Sequence, residues 1–294
     1  RIHIQRLKEK LGNRSNASSE IEYHGAIAWL VGETGRGVPT IIEMVNHTRL
    51  DCVVCSTSLM RAGLVQALHH VQKRQAFGKR LIDQPLMRNV IADLCLEWEA
   101  AMQLMFRLAE GYDSHEPQES EFVRLATAVS KYWVCKRGAR FAQETMECLG
   151  GSGYVEESIL PRIYREMPLP SIWEGSGNVI CLDVLRAVQK KPETLDLFFQ
   201  ELDKAKGRFR LLDQSVEKLK DLWRSKDLEV QARRVVETMA ITLQASLLCQ
   251  NSSGPVAAAF CQSRLGDGYQ EFGTLATGLE GQIIGRASTL LDGL

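Results

Sequence analysis

From Pro39 onward, apolar side chains return every three or four residues, at Ile42, Val45, Val53, Leu59, Leu64 and Leu68, the spacing of one face of a long helix. Pro39 suits its first turn, where a missing N–H costs nothing. Leu86, Val90, Leu94, Trp98, Met102, Met105 and Leu108 predict a second helix from about Pro85 to Tyr112, ended by the polar cluster Asp113–Pro117. A third is expected from about Pro117 to Leu149, through Phe122, Leu125, Val129, Trp133, Phe141 and Met146, and is stopped by Gly150, Gly151 and Gly153. After a proline-rich turn at Glu166–Pro170, a fourth starts near Ser176 and reaches about Lys190. Three helices of roughly 30 residues each imply an antiparallel bundle.

Beyond Pro192 the same period predicts helices at Leu195–Phe209, Leu211–Trp223, Leu228–Leu248, Val256–Leu265 and Gln270 to the end, a second helical subdomain whose clearest break is Asn251–Pro255. Ser19–Tyr23 alternates apolar and polar residues and Ala26–Val31 is continuously apolar, so both are expected as strands. They are too little for a sheet of their own, and Arg1 to Trp29 is expected to be the end of a larger β-rich region. The expected architecture is all-α. Residues 1–36 form a β remnant and linker, 37–190 a four-helix bundle and 191–294 an extra helical tail.

The 294 residues include 36 Lys and Arg against 36 Asp and Glu, so no overall field attracts polyanions or an anionic membrane. No stretch approaches the roughly 20 apolar residues of a membrane span, and no signal pattern opens the chain, so a cytoplasmic protein without membrane partners is expected. The eight cysteines lie mostly in apolar helical runs of a chain too long for a disulfide scaffold, which suits a reducing compartment. Cys52-x-x-Cys55 has no second pair, and no metal site is expected. Asn-x-Ser/Thr triplets at Asn13, Asn16, Asn46 and Asn251 are read as chance matches.

Candidate chemistry gathers in Ser171-Ile-Trp-Glu-Gly-Ser-Gly-Asn178, which sets Glu174 between an indole and a glycine hinge at a helix start. Trp173 would dry one side of the carboxylate and favour a general base. Ser176 and Asn178 add polar groups beside the free N–H groups of that start, where a polar cofactor or acyl group could bind. Read alone, Glu174 is more simply an ordinary first-turn acid. Arg74-Gln-Ala-Phe-Gly78 offers a guanidinium, suited to phosphate, and an aromatic ring on a tight turn between two long helices. Glu147-Cys-Leu-Gly-Gly-Ser-Gly-Tyr154 ends the third helix with glycines that admit a ligand close to the backbone, or that simply cap it.

In this order and spacing, over about Ser19 to Lys190, these motifs resemble the acyl-CoA dehydrogenase family. Thr48-Arg49 is similar to the family's helix-borne Thr-Arg pair, Arg74-x-x-Phe77-Gly78 to its Arg-x-x-Phe-Gly turn, Leu149–Tyr154 to its Leu-Gly-Gly-x-Gly-Tyr stretch and Trp173–Ser176 to its Tyr-Glu-Gly-Thr signature. The resemblance implies FAD in the intact protein, an acyl-CoA substrate and a homodimer or homotetramer. Glu174 would be the catalytic base, since Thr48 occupies the position that carries it in isovaleryl-CoA and long-chain members. Arg74, Phe77, Gln84, Glu147, Gly150, Gly151, Ser176 and Asn178 would lie along the cofactor, with the glycine stretch and the Arg-x-x-Phe-Gly turn reaching the flavin of a neighbouring subunit. Asn46, Arg49, Trp173 and Arg186 would shape the substrate pocket. Much of the flavin cradle belongs to a sheet domain, so this chain alone is expected to hold FAD weakly or not at all.

Lys8–Ala17, Cys135–Gly138, Ser171–Asn178 and the tail further resemble a branch of DNA-alkylation-response flavoproteins, akin to isovaleryl-CoA dehydrogenases, with weak dehydrogenase activity and a tail that binds double-stranded DNA. The tail as a whole is neutral, with 14 basic and 14 acidic residues from Lys190 to the end. Between Lys204 and Arg234, however, ten basic residues, among them Lys204, Lys206, Arg208, Arg210, Lys218 and Arg224, stand against five acids. They could grip phosphates, or form a solvated face laced with ion pairs. The alternative is an ordinary acyl-CoA dehydrogenase of fatty-acid or branched-chain amino-acid catabolism whose tail is an oligomerisation element.

Overall fold

A computed structural model describes residues 1–266, 271–276 and 278–288. A hairpin of β1 (Ile2–Leu7) and β2 (Ser19–Tyr23) opens the chain, antiparallel, with a bulge between Ile4 and Arg6. Ser19–Tyr23 is the strand expected; Ile2–Leu7 was not singled out, although Ile2 and Ile4 alternate with polar residues as in a strand. Ala26–Val31 is no strand. Strands need a partner ladder, and none reaches this segment among the described residues.

Helices α1 (Gly37–Lys73), α2 (Pro85–Asp113) and α3 (Pro117–Leu149) come next, with Pro85 and Pro117 each in a first helical turn. The start of α1 and both ends of α2 and α3 lie within two residues of the positions expected from their apolar periods and prolines. Between α1 and α2, β3 (Gln75–Ala76) and β4 (Lys79–Arg80) form a minimal hairpin around Phe77-Gly78. After Gly150 come two helices not foreseen from the pattern, α4 (Gly151–Tyr154) and α5 (Leu160–Glu166), then α6 (Gly177–Lys190). The loop of the first hairpin rests on α5, where the Asn13 N–H donates to both Glu166 carboxylate oxygens at 2.8 and 2.9 Å.

Beyond Pro192 lie α7 (Glu193–Asp203), α8 (Arg210–Trp223), α9 (Ala232–Asn251), α10 (Gly254–Phe260), a π-helical turn at Cys261–Leu265 and α11 (Glu280–Ser288). The helix expected to reach Phe209 stops at Asp203, and the chain continues in tight turns past Gly207, which takes φ +78°. The helix expected from Leu228 begins only at Ala232. That expected from Gln270 to the end falls partly outside the described residues, and α11 is the helix described within it. α9 packs on α2, α3, α6, α7 and α8, and α11 on α2, so one hydrophobic core runs from α1 to α11.

This packing buries α2 on all sides from Ile91 to Ala101, including Asp93, Glu97 and Glu99. Each buried carboxylate meets an arginine. Glu97 accepts from Arg137 at 3.1 Å and from Arg264 at 3.0 Å, Asp93 accepts from Arg264 and from the Gly273 N–H, and Glu99 accepts from Arg286 at 2.7 Å. At the far end of α2, Arg107 is forked between Glu119 of α3 and Glu201 of α7. No helix among the described residues is long and apolar enough to cross a membrane.

Candidate active site

Small residues bring α1 and α3 into contact. A Cβ on Gly63 of α1 would lie 3.0 Å from Thr145 Oγ1 of α3, and Ser56 donates across the same seam to the Cys135 sulfur at 3.3 Å. The same parallel register sets Arg49 of α1 near Lys131 of α3. Over this pair passes the loop that leads into α6. Glu174 there has φ +58° and Gly175 φ +109°, a left-handed stretch that a non-glycine residue adopts only when its surroundings hold it.

Two buried cations do the holding. Arg49, 8% exposed, donates from Nε to the Glu174 carbonyl at 3.0 Å and from a terminal nitrogen to Asp183 of α6 at 2.5 Å. Lys131, 1% exposed, donates from Nζ to the carbonyls of Trp173 at 2.7 Å and Gly175 at 2.5 Å. Three consecutive carbonyls therefore each rest on a cation. Burial lowers the ammonium pKa of Lys131, and nearby Cys135, Cys52 and Glu174 work against that fall. Burial pushes the nearby Cys52 thiol up to about 11, and 38% of Trp173 stays exposed beside the half-buried Glu174.

Of the remaining pocket residues, Asn46 is half-buried and its carbonyl accepts from the Tyr112 hydroxyl at 3.1 Å. Arg186 is exposed on α6. Ser176 is the N-cap of α6 without a side-chain cap bond. Asn178 points elsewhere, its side-chain oxygen accepting from Arg233 of α9 at 2.8 Å.

The other expected cofactor residues lie at the far end of the bundle. Arg49 and Arg74 are 25 residues apart along and just past one helix, about 37 Å of rise. Phe77 is 97% exposed at φ +51°, and with Gly78 at φ +78° it makes a turn with both central residues left-handed. The Gln84 side chain braces that turn by donating to the Ala76 carbonyl at 3.2 Å. Arg74 is exposed beside it. Gly150, at φ +60°, and Gly151 face open space at the same end, and Glu147 accepts from Gln143 at 3.2 Å. The expected site residues thus form two groups that do not meet within one chain.

The basic residues of the tail divide as well. Lys204 is paired with Glu201, Arg224 with Asp221, and Arg208 donates to the Cys249 carbonyl at 2.6 Å. Lys206, Arg210 and Lys218 are exposed and make no ion pair among the described residues.

Sequence reasoning missed Lys131 and Asp183 as parts of the loop's support. The available signal was a lysine inside the run Leu125–Val134, on the face that meets α1.

Residues 35–189 match the family described as acyl-CoA dehydrogenase, C-terminal domain. AidB of Escherichia coli strain K12 is 43% identical over 265 residues, 90% of this chain and 49% of that protein. The crystal structure of ACDH-11 of Caenorhabditis elegans in complex with C11-CoA superposes with a TM-score of 0.82 at 27% identity, over 100% of this chain and 55% of that one. An acyl-CoA dehydrogenase of Bacillus anthracis complexed with FAD shares the fold, with a TM-score of 0.67 at 15% identity over 99% of this chain and 57% of that one. The chain spans about half the length of these relatives. With its helical bundle, its braced glutamate loop and these likenesses together, the chain belongs to the acyl-CoA dehydrogenase family.

Proposed function

We propose that this chain is the C-terminal part of an AidB-like, FAD-dependent acyl-CoA dehydrogenase in which Glu174 removes the α-proton of a short or branched acyl thioester. The observation that carries the reading is the left-handed Glu174, presented on a loop whose carbonyls are held from beneath by Arg49 and Lys131. A loop held in this way need not rearrange its backbone when the proton moves. The Glu174 N–H, with no partner among the described residues, is free to stabilise the thioester oxygen as charge develops.

The residues present fit one part of a flavin dinucleotide. Arg74 supplies a cation for phosphate, Phe77 an uncovered ring, and Gly150 and Gly151 a backbone with open space before it. When bound, FAD supplies the acceptor for the β-hydrogen, taken as hydride. Because these residues stand a helix length away from Glu174, they serve the active site of a second copy, and the working protein is a homo-oligomer. In the full-length protein, Glu174→Gln is expected to lower flavin reduction by acyl-CoA at least about a thousandfold with FAD retained. Reduction at the parent rate would remove Glu174 as the base.

A second reading, binding of double-stranded DNA, is favoured by Lys206, Arg210 and Lys218, which the structure leaves exposed and without ion pairs among the described residues. It requires an affinity that falls steeply with salt.

A further inference from the structure

The proton abstraction assigned to Glu174 leaves one charged group unexplained, the ammonium of Lys131. It lies in the core of α3, 1% exposed, and points both of its hydrogen bonds at the loop above it rather than at a carboxylate. A buried lysine is costly, and an apolar residue of similar size would fill the space without desolvating a charge.

Geometry supplies the reason. In a trans peptide the C=O and N–H point in opposite directions, and the chain has no cis bonds among its described residues. The Trp173 carbonyl points down to Lys131 at 2.7 Å, so the N–H of the same peptide unit, which belongs to Glu174, points away from the core toward the open side of the loop. The Gly175 carbonyl, also on Lys131, turns the Ser176 N–H the same way. Between them, Arg49 on the Glu174 carbonyl does so for the Gly175 N–H. None of these three N–H groups has a partner among the described residues. Successive outward N–H groups in a left-handed turn form an anion-binding concavity. A cation on the carbonyl end of a peptide also polarises it and strengthens the donor at its other end.

We propose that Lys131 is a positioning residue whose buried ammonium pins and polarises the Trp173–Glu174 peptide, so that its N–H is held ready for the negative oxygen that forms on an acyl thioester. The inference rests on the dehydrogenase reading above. A lysine that only satisfied loop carbonyls would stabilise the fold without favouring a charged ligand over a neutral one.

The test compares two ligands of the full-length flavoprotein by calorimetric titration across pH. Acetoacetyl-CoA forms an enolate that carries the oxyanion, and S-butyl-CoA has a thioether with no oxygen at that position. Lys131→Met is expected to weaken acetoacetyl-CoA binding at least tenfold, to raise the pH at which the bound enolate forms, and to leave S-butyl-CoA within about twofold. With a reacting acyl-CoA, kcat should fall while KM stays within about twofold. Equal weakening of both ligands, or no change in either, would overturn the proposal. Lys131→Gln keeps N–H donors without the charge and serves if the methionine variant does not fold. It is expected to show the same selective loss to a lesser degree, and an unaltered ligand preference overturns the idea. A parent protein that binds neither ligand overturns the dehydrogenase reading and this inference together, whereas a binding-competent parent with an indifferent Lys131 overturns the inference alone.

Discussion

The flank of the bundle beneath the C-terminal helices and the stretch from Arg1 to Thr48 reverse the usual distribution of polarity. Under the C-terminal helices, Asp93, Glu97 and Glu99 are buried with their arginines. Along the first 48 residues nothing is buried, and Ile27, Leu30, Val31 and a Trp29 that is 84% exposed face outward. Polarity alone did not decide burial in either place. A charge went inside where a partner from distant sequence met it, and apolar side chains stayed outside where no surface of this chain faces them. Large exposed apolar clusters mark surfaces meant for another body, so the contrast separates what this chain completes by itself from what it leaves for a partner surface.

The buried network depends most on Glu97. Glu97→Gln leaves the guanidinium groups of Arg137 and Arg264 short of a counter-charge in the core and is expected to cost about 3–5 kcal/mol in urea unfolding. A loss under about 1 kcal/mol would show that water reaches the network and that it is a surface feature after all.

Acid sharpens the same point. Burial pushes the Glu97 carboxyl up, but Arg137 and Arg264 outweigh it and hold the group at about 2, against an ordinary value of 4.5. A carboxylate so depressed stabilises the fold fully above pH 4.5 and loses that contribution, about 3 kcal/mol, as pH falls toward 2. Glu144 has the opposite sign. Burial, with Glu147 beside it, pushes it up to about 6, so lowering the pH from 6 to 4.5 relieves a cost. The urea midpoint should hold or rise slightly down to pH 4.5 and then drop, with the drop shallower in Glu97→Gln. A steady decline from pH 6 in both proteins would remove Glu97 as the cause.

The smallest effect belongs to the other region. Trp29→Ser should change the stability of this chain by no more than about 0.5 kcal/mol, since the indole buries almost nothing here. A loss above about 1.5 kcal/mol would mean that Trp29 is already covered within the chain.

How far the sequence could be read depended on the range of the interaction involved. Helices α1, α2 and α3 were legible because burying one face repeats every turn and because Pro85, Pro117 and Gly150 punctuate the chain locally. The turn at Phe77-Gly78 and the loop at Glu174 were legible as motifs. The polar stripe Asn89, Asp93 and Glu97, each four residues after the last and buried at the latter two, carries no local sign of its burial. Its partners Leu275, Gly273 and Arg264 come more than 160 residues later, and no local pattern announces such a pairing. Lys131 was missed for the same reason, since its acceptors lie 42 and 44 residues away. The direction of the Asn178 side chain was not legible, because only the placement of α9 brings Arg233 to it.

The π-helical turn at Cys261–Leu265 carries a lesson about inheritance. A π turn holds one residue more than an α turn, and a residue gained or lost there would swing the downstream chain by about 100°. Arg264 sits inside that turn and reaches Asp93 and Glu97 from it. Descendants of this chain can exchange side chains around the turn one at a time, but a single-codon insertion or deletion would unseat the arginine from both carboxylates at once. Across relatives, the length of this segment should therefore be held more strictly than its composition.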